Sequence, residues 1–267
     1  MSAELTAGLE AVNRACKYLL EAYDRFEVIA NAPADITTEA DRQSQEIILK
    51  TLHEFFPTDS LCAEEATATV QSAPTTGARL WIVDPIDGTR GFARKNGEFS
   101  VMVAFVKEGN LEVGIVAQPV FGRLTYAVRG QGCWRHDRGQ EPTNCLVSRT
   151  ATLAEATLTQ SHTKGPANPS PLVAALSPAK IVETYSAGVK LALVARGEAD
   201  IYLNDYNAFH DWDIAAGHIL VTEAGGQVSG LKNQGLLYGL PGAWQRHGLV
   251  ATNGFLHDVA IAKLAAV

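Results

Sequence analysis

The segment Trp81-Ile82-Val83-Asp84-Pro85-Ile86-Asp87-Gly88-Thr89 limits what this chain can fold into more than any other stretch of the sequence. Its apolar beginning is typical of a buried strand, so we expect the chain to leave a sheet at Asp84. The proline that follows should fix a turn in which Asp84 and Asp87 converge, with the Ile86 carbonyl free of any strand partner. Three oxygen atoms from four residues would then face one hard cation.

The end of this segment predicts an anion site beside the cation site. Gly88 permits an anion to approach the backbone N–H groups, and Thr89 adds a hydroxyl group. Aspartate, proline and glycine are also ordinary turn residues, so a solvated turn between a strand and a loop remains the alternative.

The composition restricts the classes of partner. With 267 residues, 46% of them hydrophobic, the chain is long enough for one large or two modest domains with a substantial core. The net charge is −7 and no run rich in Lys or Arg is present, which argues against polymeric nucleic acid as a partner. An acidic protein can still bind a small phosphorylated metabolite if a metal ion supplies positive charge.

No sign of export or of membrane insertion is visible in the sequence. The N-terminal segment lacks the basic and apolar regions of a signal peptide, and no apolar stretch is long enough to cross a bilayer. We therefore expect a cytoplasmic protein with no membrane partner. The cysteines lack zinc-binding spacing, and we expect all four to be reduced and mostly buried: Cys16, Cys62, Cys133 and Cys145.

Two helices are predicted before the first strand. Glu4 to Phe26 places apolar side chains at helical spacing, and a second helix is expected from the hydroxyl-rich segment Thr37 to Asp41 as far as about Phe55. Asp41 permits two interpretations, a first-turn carboxylate that is favourable to the helix dipole or a catalytic group. Spacing alone favours the dipole interpretation.

Further charged residues flank the central segment. Ser60 to Glu65 is a predicted strand that runs into the paired acids Glu64 and Glu65, whose repulsion requires either a cation or exposure to solvent. Residues 66–77 carry no charge and are predicted to form a mobile surface loop. Residues 90–98 form a predicted loop with three cations, which are either solvated or part of the site.

The two halves of the chain differ in pattern. Strands at 99–106, 111–118 and 124–128 are predicted to form an antiparallel meander. From residue 154 onward strands and helices alternate, which indicates an α/β unit. In that unit Asp213 opens an apolar helix, either as an N-terminal helix acid or as a site residue.

Three motifs in this order resemble those of the inositol monophosphatase superfamily of Mg2+-dependent, lithium-sensitive phosphomonoesterases. They are Glu64-Glu65, Asp84 to Thr89, and Trp212-Asp213-Ile214-Ala215-Ala216-Gly217. The resemblance implies an α/β fold, the layered α-β-α-β-α sandwich of the inositol monophosphatase and fructose-1,6-bisphosphatase type. An N-terminal α+β part at 1–150 would carry most metal ligands, and a C-terminal α/β part at 151–267 would carry Asp213.

The resemblance also implies a set of metal ligands between the two parts. Glu64, Asp84 and the Ile86 carbonyl would hold one Mg2+ ion. Asp84, Asp87 and Asp213 would hold a second, and a third, weaker ion is expected near the paired acids, so we expect two or three Mg2+ ions. All of these ligands are hard oxygen atoms, which favours Mg2+ over zinc.

By the same resemblance the catalytic residues are Asp41, Glu64 and Thr89. The Thr89 hydroxyl, paired with Asp41, would orient a water molecule that attacks phosphorus in line, so that no phosphoenzyme is required. This reverses the interpretation of Asp41 that spacing alone favours. The residues expected to contact the substrate are Gly88, Thr89, Lys190 and Asp213.

Within the superfamily, Asn96 to Ser100 and Lys190 to Asp200 look most like the 3′(2′),5′-bisphosphate nucleotidases. Such enzymes remove the 3′-phosphate of 3′-phosphoadenosine 5′-phosphate, whose second phosphate would be held by Lys190 or by a cation of residues 90–95. Ala34-Asp35-Ile36-Thr37 is more like the inositol phosphatases. An inositol monophosphatase or a related sugar phosphatase is therefore the alternative.

Other classes of protein remain open. A two-metal nuclease shares the ion chemistry but needs a basic groove for its polymer. A non-catalytic Mg2+-binding regulatory protein would usually show broken ligands, and none is broken here. Lithium is expected to inhibit the enzyme, and a homodimer is compatible with the sequence.

Overall fold

The computed structural model describes residues 2–162 and 169–267 of the chain. The elements of the first half are α1 (Ala3–Arg25), α2 (Glu39–Phe55), β1 (Ser60–Ala63), α3 (Ala68–Gln71), β2 (Arg79–Asp87), α4 (Thr89–Ala93), β3 (Ser100–Lys107), β4 (Asn110–Gln118), β5 (Arg123–Val128), β6 (Cys133–Asp137) and β7 (Thr143–Cys145). Those of the second half are β8 (Thr157–Gln160), α5 (Pro171–Leu176), β9 (Lys180–Glu183), α6 (Ala187–Ala195), β10 (Ile201–Asn204), β11 (Phe209–His210), α7 (Asp211–Glu223), β12 (Gln227–Ser229), β13 (Trp244–Gln245), β14 (Leu249–Thr252) and α8 (His257–Leu264).

The strands form two main sheets. A seven-stranded sheet holds β1 to β7 in chain order, with β1 parallel to β2 and every later neighbour antiparallel. A five-stranded sheet has the order β12-β14-β10-β8-β9, in which β8 is parallel to both of its neighbours. The predicted meander is confirmed, and β6 and β7 extend it beyond the strands that the sequence indicated.

Helices cover both faces of each sheet. Along β2, Trp81 and Val83 pack in one hydrophobic cluster with α1 and α2, whereas Leu80 and Ile82 pack in a second cluster with α6 and α7. The second cluster also includes one face of the five-stranded sheet, and α5 and α8 cover the other face of that sheet. The layers are therefore α-β-α-β-α, and the predicted fold class is confirmed.

Strand β2 continues past the expected turn. It ends at Asp87 rather than at Asp84, because Asp87 still pairs with Ser100 of β3. The register shifts between Asp84 and Asp87, around Pro85, which has no N–H to donate to a ladder. The prediction that the chain leaves the sheet at Asp84 is wrong, although the expected irregularity lies at the expected proline.

Short helices replace parts of two predicted loops. Residues 66–77 contain α3, and residues 90–98 begin inside α4. Helix α7 also starts earlier than expected, at Asp211, so that Asp213 is its third residue. At that position a carboxylate can accept a hydrogen bond from the backbone N–H that precedes the helix.

The two halves of the chain share one hydrophobic cluster. Helices α6 and α7, from the second half, pack between the two sheets and contribute to a cluster that also contains residues of β2, β3 and β4. The division at residue 150 stays a prediction. Within residues 2–162 and 169–267, no helix has the length and apolar character required to cross a membrane.

Candidate active site

A cavity of about 720 Å³ opens where the end of β2 meets the first turns of α6 and α7. Acidic side chains from β2, from α7 and from loops line it, and they lie far apart in the sequence. The predicted metal ligands and substrate contacts all line this one cavity: Glu64, Asp84, Ile86, Asp87, Gly88, Thr89, Lys190 and Asp213.

Several acidic side chains of the cavity repel one another, and those of Asp84 and Asp87 are buried. Asp84 is 2% exposed and Asp87 is 8% exposed. Burial, and then repulsion from neighbouring carboxylates, raises the pKa of Glu64 to about 8 and that of Asp84 well above its ordinary value. Burial also raises the pKa of Asp213 to about 7. Their ionised forms are therefore disfavoured unless a cation compensates the charge.

The start of helix α6 fixes Asp87. Its Oδ2 atom accepts hydrogen bonds from the Gly188 N–H at 2.6 Å and from the Ser186 hydroxyl, and its Oδ1 atom accepts one from the Ala187 N–H at 3.1 Å. A carboxylate at a helix N-terminus is favoured by the helix dipole. This contact joins the first half of the chain to the second at the wall of the cavity.

The start of helix α7 fixes Asp213 in a similar way. Its Oδ2 atom accepts a hydrogen bond from the His210 N–H at 2.5 Å. The same carboxylate therefore caps a helix and lines the cavity, and its role as a metal ligand stays a prediction.

Thr89 and Asp41 form a hydrogen-bonded pair. Thr89 Oγ1 lies 2.9 Å from Asp41 Oδ1 and 3.0 Å from the Ile86 carbonyl oxygen. The other carboxylate oxygen of Asp41 accepts from the Thr38 N–H at 2.8 Å and from the Thr38 hydroxyl at 2.6 Å. Asp41 is thus a helix-capping residue and a partner of the cavity-lining threonine at once. Burial raises the pKa of Asp41.

The acidic residues fit a hard divalent cation by their chemistry. In the part of the chain that the structure describes, no three His, Cys, Asp or Glu side chains are arranged so that they could hold a metal ion as they stand. Asp87 instead points its oxygens at α6, and Asp84 Oδ1 accepts from the Ile86 N–H at 3.0 Å. The atoms that could bind a metal are all oxygens. Burial raises the pKa values of the Glu64 and Asp84 carboxyls, and a bound cation would favour their ionised forms again, so these residues suit Mg2+.

Gly88 is required by the backbone around it. Its φ is +90°, and a Cβ atom there would lie 2.7 Å from the Glu98 carbonyl oxygen. From the sequence we expected Gly88 to let an anion approach the backbone. In the structure, two chain segments also approach each other too closely at this position for any residue with a Cβ atom.

The cations near the cavity differ in their contacts. Lys190 is 1% exposed, and its ammonium donates to the carbonyl oxygens of Thr184 at 2.8 Å and Tyr185 at 3.0 Å. Arg94 donates to the Tyr185 hydroxyl at 2.6 Å, and Lys95 donates to a carbonyl of α1 at 3.1 Å. Of the three cations in residues 90–95, only Arg90 lines the cavity. Its Nε atom has no hydrogen-bond partner among the described residues.

Sequence reasoning missed the outer wall of the cavity. Asp35 and Asp205 lie there, both exposed and without an ion pair to any described residue. Tyr206 and Phe209 line the same wall, with ring centroids 5.4 Å apart. One available signal was the position of residues 205–207 directly after β10, since ligands in α/β units bind beyond the carboxyl ends of strands.

The sequence profile of the inositol monophosphatase family matches residues 1–267, the whole chain. This chain belongs to the inositol monophosphatase family. The predicted family is confirmed. Members of this family are phosphatases and generally depend on Mg2+, so the chain is an inositol monophosphatase-family phosphatase.

Relatives that are named for different activities resemble the chain. It is 32% identical over 270 residues to a histidinol-phosphatase of Mycobacterium tuberculosis, covering 98% of both chains. It is 29% identical over 213 residues to a 3′(2′),5′-bisphosphate nucleotidase of Aggregatibacter actinomycetemcomitans, covering 75% of this chain and 74% of that one. A solved inositol monophosphatase of Thermotoga maritima superposes with a TM-score of 0.81 at 26% identity, covering 99% and 98% of the two chains.

Proposed function

We propose that this protein is a Mg2+-dependent phosphatase whose substrate is the phosphate monoester of a cationic alcohol, and that histidinol phosphate is that substrate. The distribution of charge in the cavity carries the proposal. Carboxylates lie at its inner end, where a phosphate and its metal ions would bind, and also at its outer wall, where Asp35 and Asp205 have no ion pair to any described residue. Carboxylates on that wall favour a substrate whose leaving group is positively charged.

The aromatic residues of the outer wall support the same substrate. Tyr206 is 55% exposed and packs edge-on against Phe209 beside Asp205. A protonated amine or an imidazolium ring can bind to the face of an aromatic side chain and to a neighbouring carboxylate. Histidinol phosphate carries both groups. The histidinol-phosphatase of Mycobacterium tuberculosis, to which this chain is similar over 98% of its length, adds support.

The chain's own residues would prepare the attack on phosphorus. Glu64, Asp84, Asp87, Asp213 and the Ile86 carbonyl would hold Mg2+, which would supply positive charge to the phosphate and a more acidic water. Thr89 would accept a hydrogen bond from the attacking water while donating its own hydrogen to Asp41. Asp41, held by Thr38, would keep that threonine in one orientation. Water would attack directly, without a phosphoenzyme.

A second candidate substrate is 3′-phosphoadenosine 5′-phosphate. Arg90 favours it, because its guanidinium lies on the cavity wall over the Tyr185 ring and its Nε atom lacks a hydrogen-bond partner among the described residues. A second phosphate could accept from such a group. Lys190 is less suited to bind the second phosphate, since its ammonium already donates to two backbone carbonyls.

A comparison of substrates tests the proposal. With Mg2+ present, we expect kcat/KM to be highest for histidinol phosphate, compared with inositol 1-phosphate and 3′-phosphoadenosine 5′-phosphate. Asp205→Asn should raise KM for histidinol phosphate by up to about fivefold, because an exposed ion pair contributes at most about 1 kcal/mol, and should leave KM for inositol 1-phosphate unchanged. The exposed Asp258 of α8 offers a matched control in Asp258→Asn.

The same panel decides between the two candidates. If 3′-phosphoadenosine 5′-phosphate has the highest kcat/KM, and Arg90→Gln lowers that value alone, the second candidate replaces the first. The proposed Mg2+ site would be supported by either result, because hydrolysis of both substrates would depend on it.

A further inference from the structure

Two cysteines outside the active site face each other across neighbouring strands. Cys133 in β6 and Cys145 in β7 are directly opposed in an antiparallel pair, and both are free thiols. Residues opposed in this way have Cα atoms about 4.5 or about 5.5 Å apart. Either separation lies inside the range that a disulfide spans. The two thiols can therefore be joined without moving the strands apart.

The surroundings of the pair distinguish the two thiols. A hydrogen bond between them raises the pKa of Cys133 and lowers that of Cys145. The guanidinium groups of Arg196 and Arg135 lower the pKa of Cys145 further. Reactive thiols are those that ionise beside cations. Cys145, which lies on the last strand of the sheet and beside two guanidinium groups, is therefore assigned as the nucleophile, and Cys133 opposite it is in place to react with an oxidised Cys145.

The position of β7 gives an oxidant access. β7 is the last strand of the seven-stranded sheet, so one of its edges has no strand partner among the described residues. Although Cys145 is only 4% exposed, an edge strand of three residues can open locally without unfolding the core. Local opening would bring the Cys145 thiolate to solvent.

We propose that Cys133 and Cys145 are an oxidation site, which a peroxide converts into a reversible disulfide between β6 and β7. The Cys145 thiolate attacks one peroxide oxygen, the O–O bond breaks, and hydroxide leaves as a sulfenic acid forms on Cys145. The Cys133 sulfur then attacks that sulfur, loses its proton, and displaces the sulfenic oxygen as water. The two sulfurs together lose two electrons and the peroxide gains them. A thiol reductant reverses the change by exchange.

The disulfide would hold the chain where it passes from the first half to the second. Just after Cys145, the Val147 N–H donates to the Ala224 carbonyl at 3.1 Å, and the Ser148 hydroxyl donates to Asp200. A disulfide between β6 and β7 would therefore restrain residues 146–148, which follow β7 and are hydrogen-bonded to the end of α7 and to Asp200. A cross-link that closes a short loop stabilises chiefly by restricting the unfolded chain.

Peptide mapping of the oxidised wild-type chain tests the proposal. The purified protein is treated with hydrogen peroxide, its remaining thiols are alkylated in denaturant, and it is digested with trypsin without reduction. Cleavage after Arg129, Arg135, Arg138 and Arg149 places the two cysteines on separate peptides, 130–135 and 139–149. We expect these peptides to be recovered as one linked species that dithiothreitol separates, with Cys16 and Cys62 alkylated.

Matched variants test the effect on stability. Oxidation should raise Tm by about 5 °C in the wild type and in Cys62→Ser, and should leave Tm unchanged in Cys145→Ser. Cys62 is a suitable control because it is buried in β1 opposite Ile82 rather than opposite a cysteine. Recovery of both peptides unlinked and alkylated, linkage to Cys16 or Cys62, or a Cys145 that stops at sulfinic acid would each overturn the proposal.

Discussion

Thr89 is the side chain that connects the buried part of the site to the cavity. Its hydroxyl has one hydrogen, which it can donate either to Asp41, 2.9 Å away, or to the Ile86 carbonyl, 3.0 Å away. Its lone pairs remain able to accept from a water molecule in the cavity. The hydroxyl, rather than the size of the side chain, is therefore what this position contributes.

Two substitutions of Thr89 distinguish the contribution of its hydroxyl group from that of its side-chain shape. Thr89→Val keeps the shape and removes the hydroxyl, so kcat should fall by about 100-fold to 10,000-fold. Thr89→Ser keeps the hydroxyl and should retain most of the activity. The measurement is kcat and KM for phosphate release, with circular dichroism to confirm folding. Equal loss in the two variants would show that packing, and not the hydroxyl, matters here.

The site residues divide by how much local sequence reveals them. Asp84 and Asp87 follow from one short segment, because strand, proline and glycine signals stand side by side there. The contact of Asp41 with Thr89 spans 48 positions, and no local pattern encodes it, so only the family resemblance predicted it. Asp205 carries no motif. Its place on the cavity wall depends on how the two sheets stack around α6 and α7.

Helices α6 and α7 are the elements that set the width of the cavity. They pack against each other between the two sheets, and the contact is close at Gly217 of α7. A Cβ atom at Gly217 would lie 2.3 Å from Leu191 Cδ1 and 2.5 Å from Leu191 Cβ, both in α6. Since α6 holds Asp87 and α7 carries Asp213, the spacing of these helices also sets the spacing of two carboxylates.

Gly217→Ala tests this close contact. The added methyl group should overpack the helix pair and lower the free energy of unfolding by about 1–3 kcal/mol. Gly235→Ala is the control, because a Cβ atom there meets nothing within 4 Å, and it should change stability by less than about 0.5 kcal/mol. Urea denaturation measures both. Equal stability of the two variants would show that the helices separate without cost.

A histidine on α7 predicts how stability depends on pH. Burial lowers the pKa of His218 to about 4, and its Nδ1 atom lies 2.7 Å from the Tyr238 hydroxyl. The unfolded chain has the ordinary value of about 6.5, so it binds the extra proton first as pH falls. The contribution of His218 to stability is therefore present above about pH 6.5 and is lost as pH falls towards 4.

The difference between wild type and His218→Gln isolates this effect from the other titrating groups. We expect the Tm of the wild type to fall more steeply than that of His218→Gln between pH 7 and pH 5. Parallel curves for the two proteins across that range would contradict the assignment.

The sequence predicted the strands well where one face is apolar. The sequences of β3, β4 and β5 either alternate between apolar and polar residues or are continuously apolar. Their predicted ends lie within one or two residues of the observed ends. Strand β6, Cys133-Trp134-Arg135-His136-Asp137, carries mostly polar and charged residues, and its place in the sheet depends on pairing with β5. Pairing with β3 likewise carries β2 on to Asp87. Tertiary pairing, which local patterns do not encode, decided these cases.

At the scale of the whole molecule, the site belongs to the junction between the two sheets. Glu64, Asp84 and Asp87 come from the seven-stranded sheet and its edges, whereas Asp213 comes from a helix of the second half. The fold thus brings together acidic side chains from both halves of a chain whose net charge is already −7. A divalent cation bound there would reduce that repulsion and hold the halves together.

The most direct test of this account is the Mg2+ dependence of phosphate release by the wild type and by Asp84→Asn. We predict that EDTA abolishes release by the wild type and that Asp84→Asn is slower by at least about 1,000-fold at saturating Mg2+. In EDTA, the Tm of Asp84→Asn should equal or exceed that of the wild type, because the amide is neutral without the proton that the buried Asp84 carboxylate must take up. Asp258→Asn, at an exposed position, should behave as the wild type. Near wild-type release by a folded Asp84→Asn, or release that EDTA leaves unchanged, would contradict the metal site on which the account depends.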